Sequence, residues 1–172
     1  MTMNILRTAA FTAALISGNL IAADTVNVSV TGNIVASPCV FNGGNNNLDV
    51  NLGNIQASNM ATPGSSSEPV PFNLMFTRCP AGTRSVTVLF TGNPDPIAGA
   101  GYYMNSGSAT HVAIAMNDAA TGALKGTGTQ ITQAISADRT ATIALQASVN
   151  SVTGSATPGS ISAVVVMTMQ YN

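Results

Sequence analysis

Apolar and polar residues alternate along most of this chain, and this period of two is the feature that most restricts its fold. Successive side chains of a β-strand point to opposite faces, so a strand with one buried face shows this period. Clusters of Gly, Asn, Pro and Ser lie between the alternating runs and indicate turns. We expect strands at residues 26–34, 48–52, 70–76, 86–90, 111–116, 140–149 and 161–171.

Many short strands separated by turns are typical of an all-β sandwich, and the arrangement predicted here is immunoglobulin-like. No stretch of the sequence predicts an amphipathic helix longer than two turns, and residues 57–60 could form one short helical turn. The chain contains no Trp, whereas antibody-type domains pack a buried Trp against their disulfide. An antibody-type domain is therefore excluded.

The first 22 residues have the pattern of a secretory signal peptide. Arg7 precedes an apolar stretch, and small residues follow at the expected cleavage site. We expect cleavage after Ala22, with Ala23 as the alternative site, and the competing interpretation is a buried N-terminal helix. The stretch is shorter than the roughly 20 apolar residues that span a bilayer, so we expect an exported chain that is not membrane-spanning.

An exported chain with two cysteines is expected to form a disulfide, which here joins Cys39 to Cys79. The alternative is a free or catalytic thiol, which would need a histidine or another cation beside it.

The composition argues against several classes of function. Charged residues make up 6% of the chain, against about 25% in an average domain, and the net charge is −1. This balance provides no basic surface for a nucleic acid. His111 is the only histidine, and we expect it to be an exposed or half-buried strand residue. We therefore expect no catalytic residue, no metal site and no cofactor.

Sugar binding is harder to exclude, because many lectins are β-sandwiches. Tyr102 and Tyr103 are the only adjacent aromatic pair, and they follow a loop. A strand beginning after that loop is the favoured interpretation, and an aromatic platform for a sugar is the alternative.

The two ends of the chain carry the most informative pattern. Residues 23–35 alternate without any charge except Asp24, and Gly32 interrupts one apolar face. A glycine inside a strand often marks a place where another backbone approaches closely. Residues 161–171 also alternate, and such a terminal strand would be an exposed edge unless something covers it.

These ends resemble those of subunits of chaperone–usher fimbriae, the type 1 pilin family. Members carry a Gly fourteen residues from the C-terminus and a penultimate Tyr, which match Gly159 and Tyr171. They also carry an alternating N-terminal extension and then two cysteines about 40 residues apart. Residues 78–83 and 101–105 resemble the small tip-adaptor pilin most closely, and the resemblance covers the whole chain after the signal peptide.

The resemblance implies an incomplete immunoglobulin-like β-sandwich that lacks its C-terminal strand and carries an N-terminal donor-strand extension. The implied division is a signal peptide at 1–22, the extension at 23–35 and a pilin domain at 36–172. The donor side chains would be Val26, Val28, Val30, Gly32 and Ile34. The strand beside the resulting groove would comprise Gly159, Ile161, Ala163, Val165, Met167, Met169, Tyr171 and Asn172.

The implied partners are a periplasmic fimbrial chaperone, an outer-membrane usher and neighbouring pilin subunits. The chaperone would add a strand beside residues 161–171 and hold the carboxylate of Asn172, and the chain would pass through the periplasm to the cell surface. The implied function is that of a structural, non-enzymatic subunit of an adhesive fimbria, first a minor tip adaptor and second the major rod pilin. A free-standing secreted carbohydrate-binding sandwich is the alternative from another class, and a periplasmic enzyme is the least favoured.

Overall fold

The computed structural model of the protein describes residues 25–34 and 38–172. The chain divides into two units, Met1–Asn33 and Ile34–Asn172. The predicted signal peptide at 1–22 lies outside the described residues, as do residues 23, 24 and 35 of the predicted extension. Within the two described ranges, no helix has the length and apolar character needed to cross a membrane.

The described part of the first unit contains neither helix nor strand. Residues 25–33 are exposed throughout, including the apolar side chains of Val26, Val28 and Val30. The strand expected at 26–34 is therefore absent from this chain by itself. Its alternating sequence is suited to a strand, but a strand also needs a second backbone for its hydrogen bonds.

The second unit is an all-β sandwich, which confirms the predicted fold class. Its strands, numbered in chain order, are β1 Val40–Phe41, β2 Ser65–Ser66, β3 Val70–Thr77, β4 Ser85–Gly92, β5 Pro94–Asp95, β6 Gly99–Met104, β7 Ala113–Asp118, β8 Gln130–Ala134, β9 Ala141–Ser151 and β10 Val165–Tyr171. Two short 3-10 helices, Asn42–Gly44 and Ala57–Met60, are the helical segments within residues 38–172.

The strands form two sheets whose pairing is antiparallel. The larger sheet has the order β1-β3-β9-β7-β6-β5, and β2 also pairs with β9. The smaller sheet has the order β10-β4-β8. Strand β10 pairs with β4 along its whole length, from Val165 opposite Gly92 to Tyr171 opposite Val86. Because β10 is the end member of its sheet, one of its edges has no neighbouring strand among residues 25–34 and 38–172.

The inner faces of the two sheets enclose one apolar core. Its members include the fully buried side chains Leu74, Phe76, Val86, Val88, Phe90 and Leu145. The predicted disulfide between Cys39 and Cys79 is present, both residues are buried, and their Cα atoms are 4.2 Å apart. The bond ties the start of the sandwich to the segment that follows β3.

Three further expected strands, besides the one at 26–34, differ from the structure. Residues 48–52 form no strand, because their backbone has no partner in the described part of the chain, although their side chains alternate between half-buried and exposed. The strand expected from residue 111 begins at Ala113, since His111 adopts a backbone φ of 62° in a bend before β7, so its prediction as a strand residue was wrong. The strand expected from residue 161 begins at Val165.

Candidate functional site

The inner face of β10 is only half covered. Val165, Met167, Met169 and Tyr171 face the core, yet all four are half-buried. On the adjacent strand β4, the inward side chains are fully buried. Two strands of one sheet that face the same core differ in this way when the position beside one of them is vacant. The sandwich is therefore open on the outer side of β10.

The backbone of β10 presents unused hydrogen-bonding groups on this open side. The N–H of Asn172 donates to the Ser85 carbonyl at 3.0 Å, and the N–H of Ser85 donates back to the Asn172 carbonyl at 3.1 Å. In an antiparallel pair such doubly bonded residues occur at every second position. The backbone groups that point away from β4 are therefore those of Val165, Met167, Met169 and Tyr171.

A groove of about 620 Å³ runs beside this edge. Its floor belongs to the larger sheet and includes Phe72, Tyr103, Ile114, Met116 and Ala147. One wall contains Ile161, Ala163, Val165 and Met167. Asp49 is the charged residue among the lining residues. Asn51, Asn54, Ser160 and Ser162 also line the groove, so its rims are partly polar, whereas its floor is apolar and suits alternating apolar side chains.

The opposite rim of the groove consists of residues 48–55. Leu48, Val50 and Leu52 are half-buried, and the residues between them are exposed. Within the described ranges, the backbone of this segment makes no hydrogen bond to another backbone group. The N–H of Gly53 instead donates to the side-chain oxygen of Asn51 at 2.9 Å. Within the described ranges, the groove therefore lies between β10, which is paired on one edge only, and residues 48–55, which pair with no strand.

The groove wall that leads into β10 is held in place by close packing between two backbone segments. The N–H of Ala109 donates to the Ser160 carbonyl at 3.0 Å, and the N–H of Ser106 donates to the Ser162 carbonyl at 2.8 Å. A Cβ atom on Gly159 would lie 2.5 Å from the backbone nitrogen of Ala109. Only glycine permits this approach, and the contact explains why residues 157–162 run along loop 105–110 instead of extending β10.

Two tyrosines close the interior near the groove. The Tyr103 hydroxyl donates to the Lys125 carbonyl at 2.7 Å, and burial raises the pKa of Tyr103 to about 12. Tyr103 is therefore a core residue and not half of an exposed aromatic platform. The Tyr171 ring packs edge-on against Phe76 with centroids 6.4 Å apart, and burial also raises the pKa of Tyr171.

The structure brings most of the predicted groove-edge residues together. Gly159, Ile161, Ala163, Val165 and Met167 line the groove, Met169 and Tyr171 continue the same inner face, and Asn172 pairs with Ser85. The role assigned to each of them stays a prediction. Four of the predicted donor residues lie in the first unit, and the fifth, Ile34, lies in the second. All five are exposed.

Sequence reasoning missed the floor and the opposite rim. The alternation at residues 48–52 is visible in the sequence, where it predicts an ordinary strand. Nothing in the sequence distinguishes floor residues such as Phe72 and Ile114 from the rest of the core, because inward residues of every strand share the same period.

The described side chains offer no catalytic arrangement around this groove. Residues 25–34 and 38–172 contain no group of three His, Cys, Asp or Glu side chains that could hold a metal ion. The His111 ring is exposed, and its Nδ1 atom lies 3.1 Å from the Thr110 hydroxyl. The groove has the geometry of a binding site for an extended backbone.

These features define a class of fold, a β-sandwich in which a groove lies beside an open sheet edge. Comparison with known proteins identifies the family within this class. The family model described as "Fimbrial protein" matches residues 28–172, and the chain belongs to this family. It is 33% identical over 159 residues to Protein FimG of Escherichia coli (strain K12), which covers 92% of each chain.

Solved structures show the same fold. The P pilus rod subunit PapA matches with a TM-score of 0.66 and 20% identity over 79% of this chain and all of the PapA chain. The P pilus adaptor subunit PapF matches with a TM-score of 0.55 and 22% identity over 81% of this chain and all of that chain.

These findings confirm the resemblance inferred from the two ends of the sequence. The chain is a structural subunit of chaperone–usher fimbriae, a family of pilins that polymerise with neighbouring pilins at the cell surface.

Proposed function

We propose that this chain is a minor tip adaptor that is polymerised by donor-strand exchange and thereby supports adhesion. The observation that carries the proposal is the half-exposed inner face of β10 beside an apolar groove with two unpaired edges. A strand placed in the groove would pair with β10 on one side and with residues 48–55 on the other. It would cover the four half-buried side chains of β10 and complete the sandwich.

The sequence of the N-terminal extension suits such a strand. Val26, Val28 and Val30 recur every two residues, as do Ile161, Ala163 and Val165 on the groove wall. Both sets therefore repeat about every 6.6–6.8 Å in extended backbone. Burial of each donor side chain contributes about 1.5–3 kcal/mol before ordering costs. Gly32 has no side chain and would suit a shallow part of the neighbour's groove.

Each subunit would then carry one donor and one acceptor. Such contacts are heterologous and do not close on themselves, so they build a fibre. The proposed organisation is a signal peptide at 1–22, the donor extension at 23–35 and the acceptor domain at 36–172. A subunit of this kind occupies an interior position, because it both accepts a strand and donates one.

An open apolar groove is also an aggregation hazard before assembly. We therefore propose that a periplasmic chaperone lends a strand to β10. At an outer-membrane usher, the next subunit's extension would replace the chaperone's strand. Export through the periplasm to the fimbria follows from the same scheme.

The assignment to the tip is supported by residues 78–83 and 101–105, which resemble the tip-adaptor pilin, and by the fold shared with the adaptor PapF. The major rod subunit is the second candidate, supported by the fold shared with PapA. Electron microscopy with a gold-labelled antibody against this chain separates the two. We expect label at one end of each fibre, and label along the shaft would assign the chain to the rod.

Thermal unfolding tests strand exchange itself. Three chains without residues 23–35 are compared: one ending at Asn172, one with residues 23–35 added after a short Gly/Ser linker, and one with the same addition carrying Ser at positions 26, 28 and 30. We expect the second to melt at least about 10 °C higher than the others, since each kcal/mol shifts the midpoint by about 2–4 °C at this size. Equal melting of all three would refute the proposal.

A further inference from the structure

The methionines of the sandwich differ sharply in exposure. Met75 and Met104 are exposed, at 47% and 39%, on the outward-facing sides of β3 and β6. Met60 and Met116 are buried, at 1% and 4%. Met167 is half-buried on the inner face of β10 and lines the groove. Met167 thus faces the core, as its position in β10 requires, but solvent still reaches its side chain through the groove.

The access to Met167 depends on the vacant strand position. Across the groove lie the apolar floor residues, and the open side is where an added strand would lie. The neighbouring Met169 differs, because the Tyr171 hydroxyl donates to its sulfur at 3.7 Å. Within residues 25–34 and 38–172, no hydrogen-bond donor contacts the sulfur of Met167.

We propose that Met167 is an oxidation site that reacts when the groove is empty and is protected when a strand fills it. The proposal rests on the strand-acceptor role proposed above. With hydrogen peroxide as the oxidant, a sulfur lone pair attacks one peroxide oxygen, the O–O bond breaks, an S–O bond forms, and water leaves after proton transfer. The thioether becomes a sulfoxide, and the peroxide is reduced.

The sulfoxide changes what the groove can bind. It places a strongly polar oxygen where an added strand would cover it with apolar side chains. A polar group buried without a hydrogen bond is unfavourable, and we expect strand insertion to weaken by about 10-fold or more. Enzymatic reduction of the sulfoxide restores the thioether. Oxidation therefore acts on subunits whose groove holds neither the chaperone's strand nor a neighbour's extension, and it spares those already in a fibre.

Peptide mass spectrometry after peroxide treatment tests the site. Both chains carry Val28→Asp, which keeps the chain's own extension out of the groove, and one also carries the wild-type residues 23–35 appended after Asn172. We expect Met167 to oxidise about 10-fold more slowly in the second chain. Met75 and Met104 serve as internal controls and should oxidise equally in both.

The two proposals fail differently in this experiment. If the appended segment raises the melting temperature but Met167 oxidises at the same rate, the oxidation site is refuted and strand exchange stands. If Met167 is as unreactive as Met60 in the chain whose groove is empty, the oxidation site is also refuted. If the segment changes neither melting nor oxidation, strand exchange fails, and the oxidation site fails with it.

A second measurement tests the consequence of oxidation. Peroxide-treated chains carrying Val28→Asp are titrated with a synthetic peptide of residues 24–35. We expect the oxidised chain to bind about 10-fold more weakly, whereas Met167→Leu, which nearly conserves volume, should resist peroxide. Met75→Leu is the matched control and should remain sensitive. If Met167→Leu loses binding as the parent chain does, the effect does not come from Met167.

Discussion

Replacing Val28 by Asp separates the folding of the subunit from its insertion into a neighbour. The Val28 side chain is 79% exposed, so the change should alter the subunit's own free energy of unfolding by less than about 0.5 kcal/mol. In the groove of a neighbour the variant loses the burial of Val28, about 1.5–3 kcal/mol. It also desolvates a carboxylate, at an effective cost of several kcal/mol.

These contributions sum to more than about 4 kcal/mol, which corresponds to roughly 1,000-fold weaker insertion. The assay measures how much of the subunit is recovered in purified fibres and how much remains free in the periplasm. Ser29→Asp is the matched control, because it adds the same charge on the opposite face of the strand, away from the groove floor. We expect the Val28→Asp subunit to be missing from purified fibres and the Ser29→Asp subunit to be recovered in them.

Two results would refute this reasoning. Fibres that incorporate Val28→Asp normally would show that residues 23–35 are not the donor. Equal loss of both variants would show that added charge, rather than the face that carries it, blocks assembly. Urea unfolding of each purified variant verifies that neither substitution acts through the stability of the sandwich.

Three further variants test the stability of the sandwich. Gly159→Ala should destabilise the chain to urea by about 1–3 kcal/mol, because its Cβ would lie 2.5 Å from the Ala109 nitrogen; an unchanged midpoint contradicts this. The raised pKa of Tyr103 means that the unfolded chain ionises first, so stability should fall from about pH 10 to pH 12. Tyr103→Phe should reduce that slope in thermal unfolding. Replacing Cys39 and Cys79 by Ser should cost about 4 kcal/mol in urea unfolding, and a loss below 1 kcal/mol would contradict the loop argument.

The sequence predicted the elements whose two faces differ most. The alternation at residues 161–171 persists in the structure as alternating half-buried and exposed side chains. The same holds for β3 and β4, whose inward residues form the core. In each case one face contacts apolar side chains and the other contacts water, so the period of two records the burial directly.

Strands whose two faces differ little in hydrophobicity could not be predicted from the sequence. Strand β8, Gln130–Ala134, contains only Ile131 as a large apolar residue, and its other members are exposed. It exists because its backbone pairs with β4, a long-range contact that leaves no local pattern. Residues 48–52 show the opposite case, since they alternate like a strand but have no partner strand among the residues that the structure describes.

The vacancy beside β10 is also invisible to periodicity. An edge strand and a central strand of one sheet share the same alternation, and only the hydrogen-bonding partners distinguish them. The resemblance at the two ends of the chain predicted the vacancy. The floor of the groove and its opposite rim, which include Phe72 and Leu52, are visible only in the structure.

Amide hydrogen exchange along β10 tests the central claim most directly. The N–H groups of Met167, Met169 and Tyr171 point to the vacant side, whereas those of Val166, Thr168 and Gln170 face β4 and serve as internal controls. In a chain with an empty groove, the first set should exchange at least about 10-fold faster than the second. When residues 23–35 are supplied as an appended strand, we expect the first set to become as protected as the controls. Unchanged fast exchange of that set, with the strand present, would contradict the account.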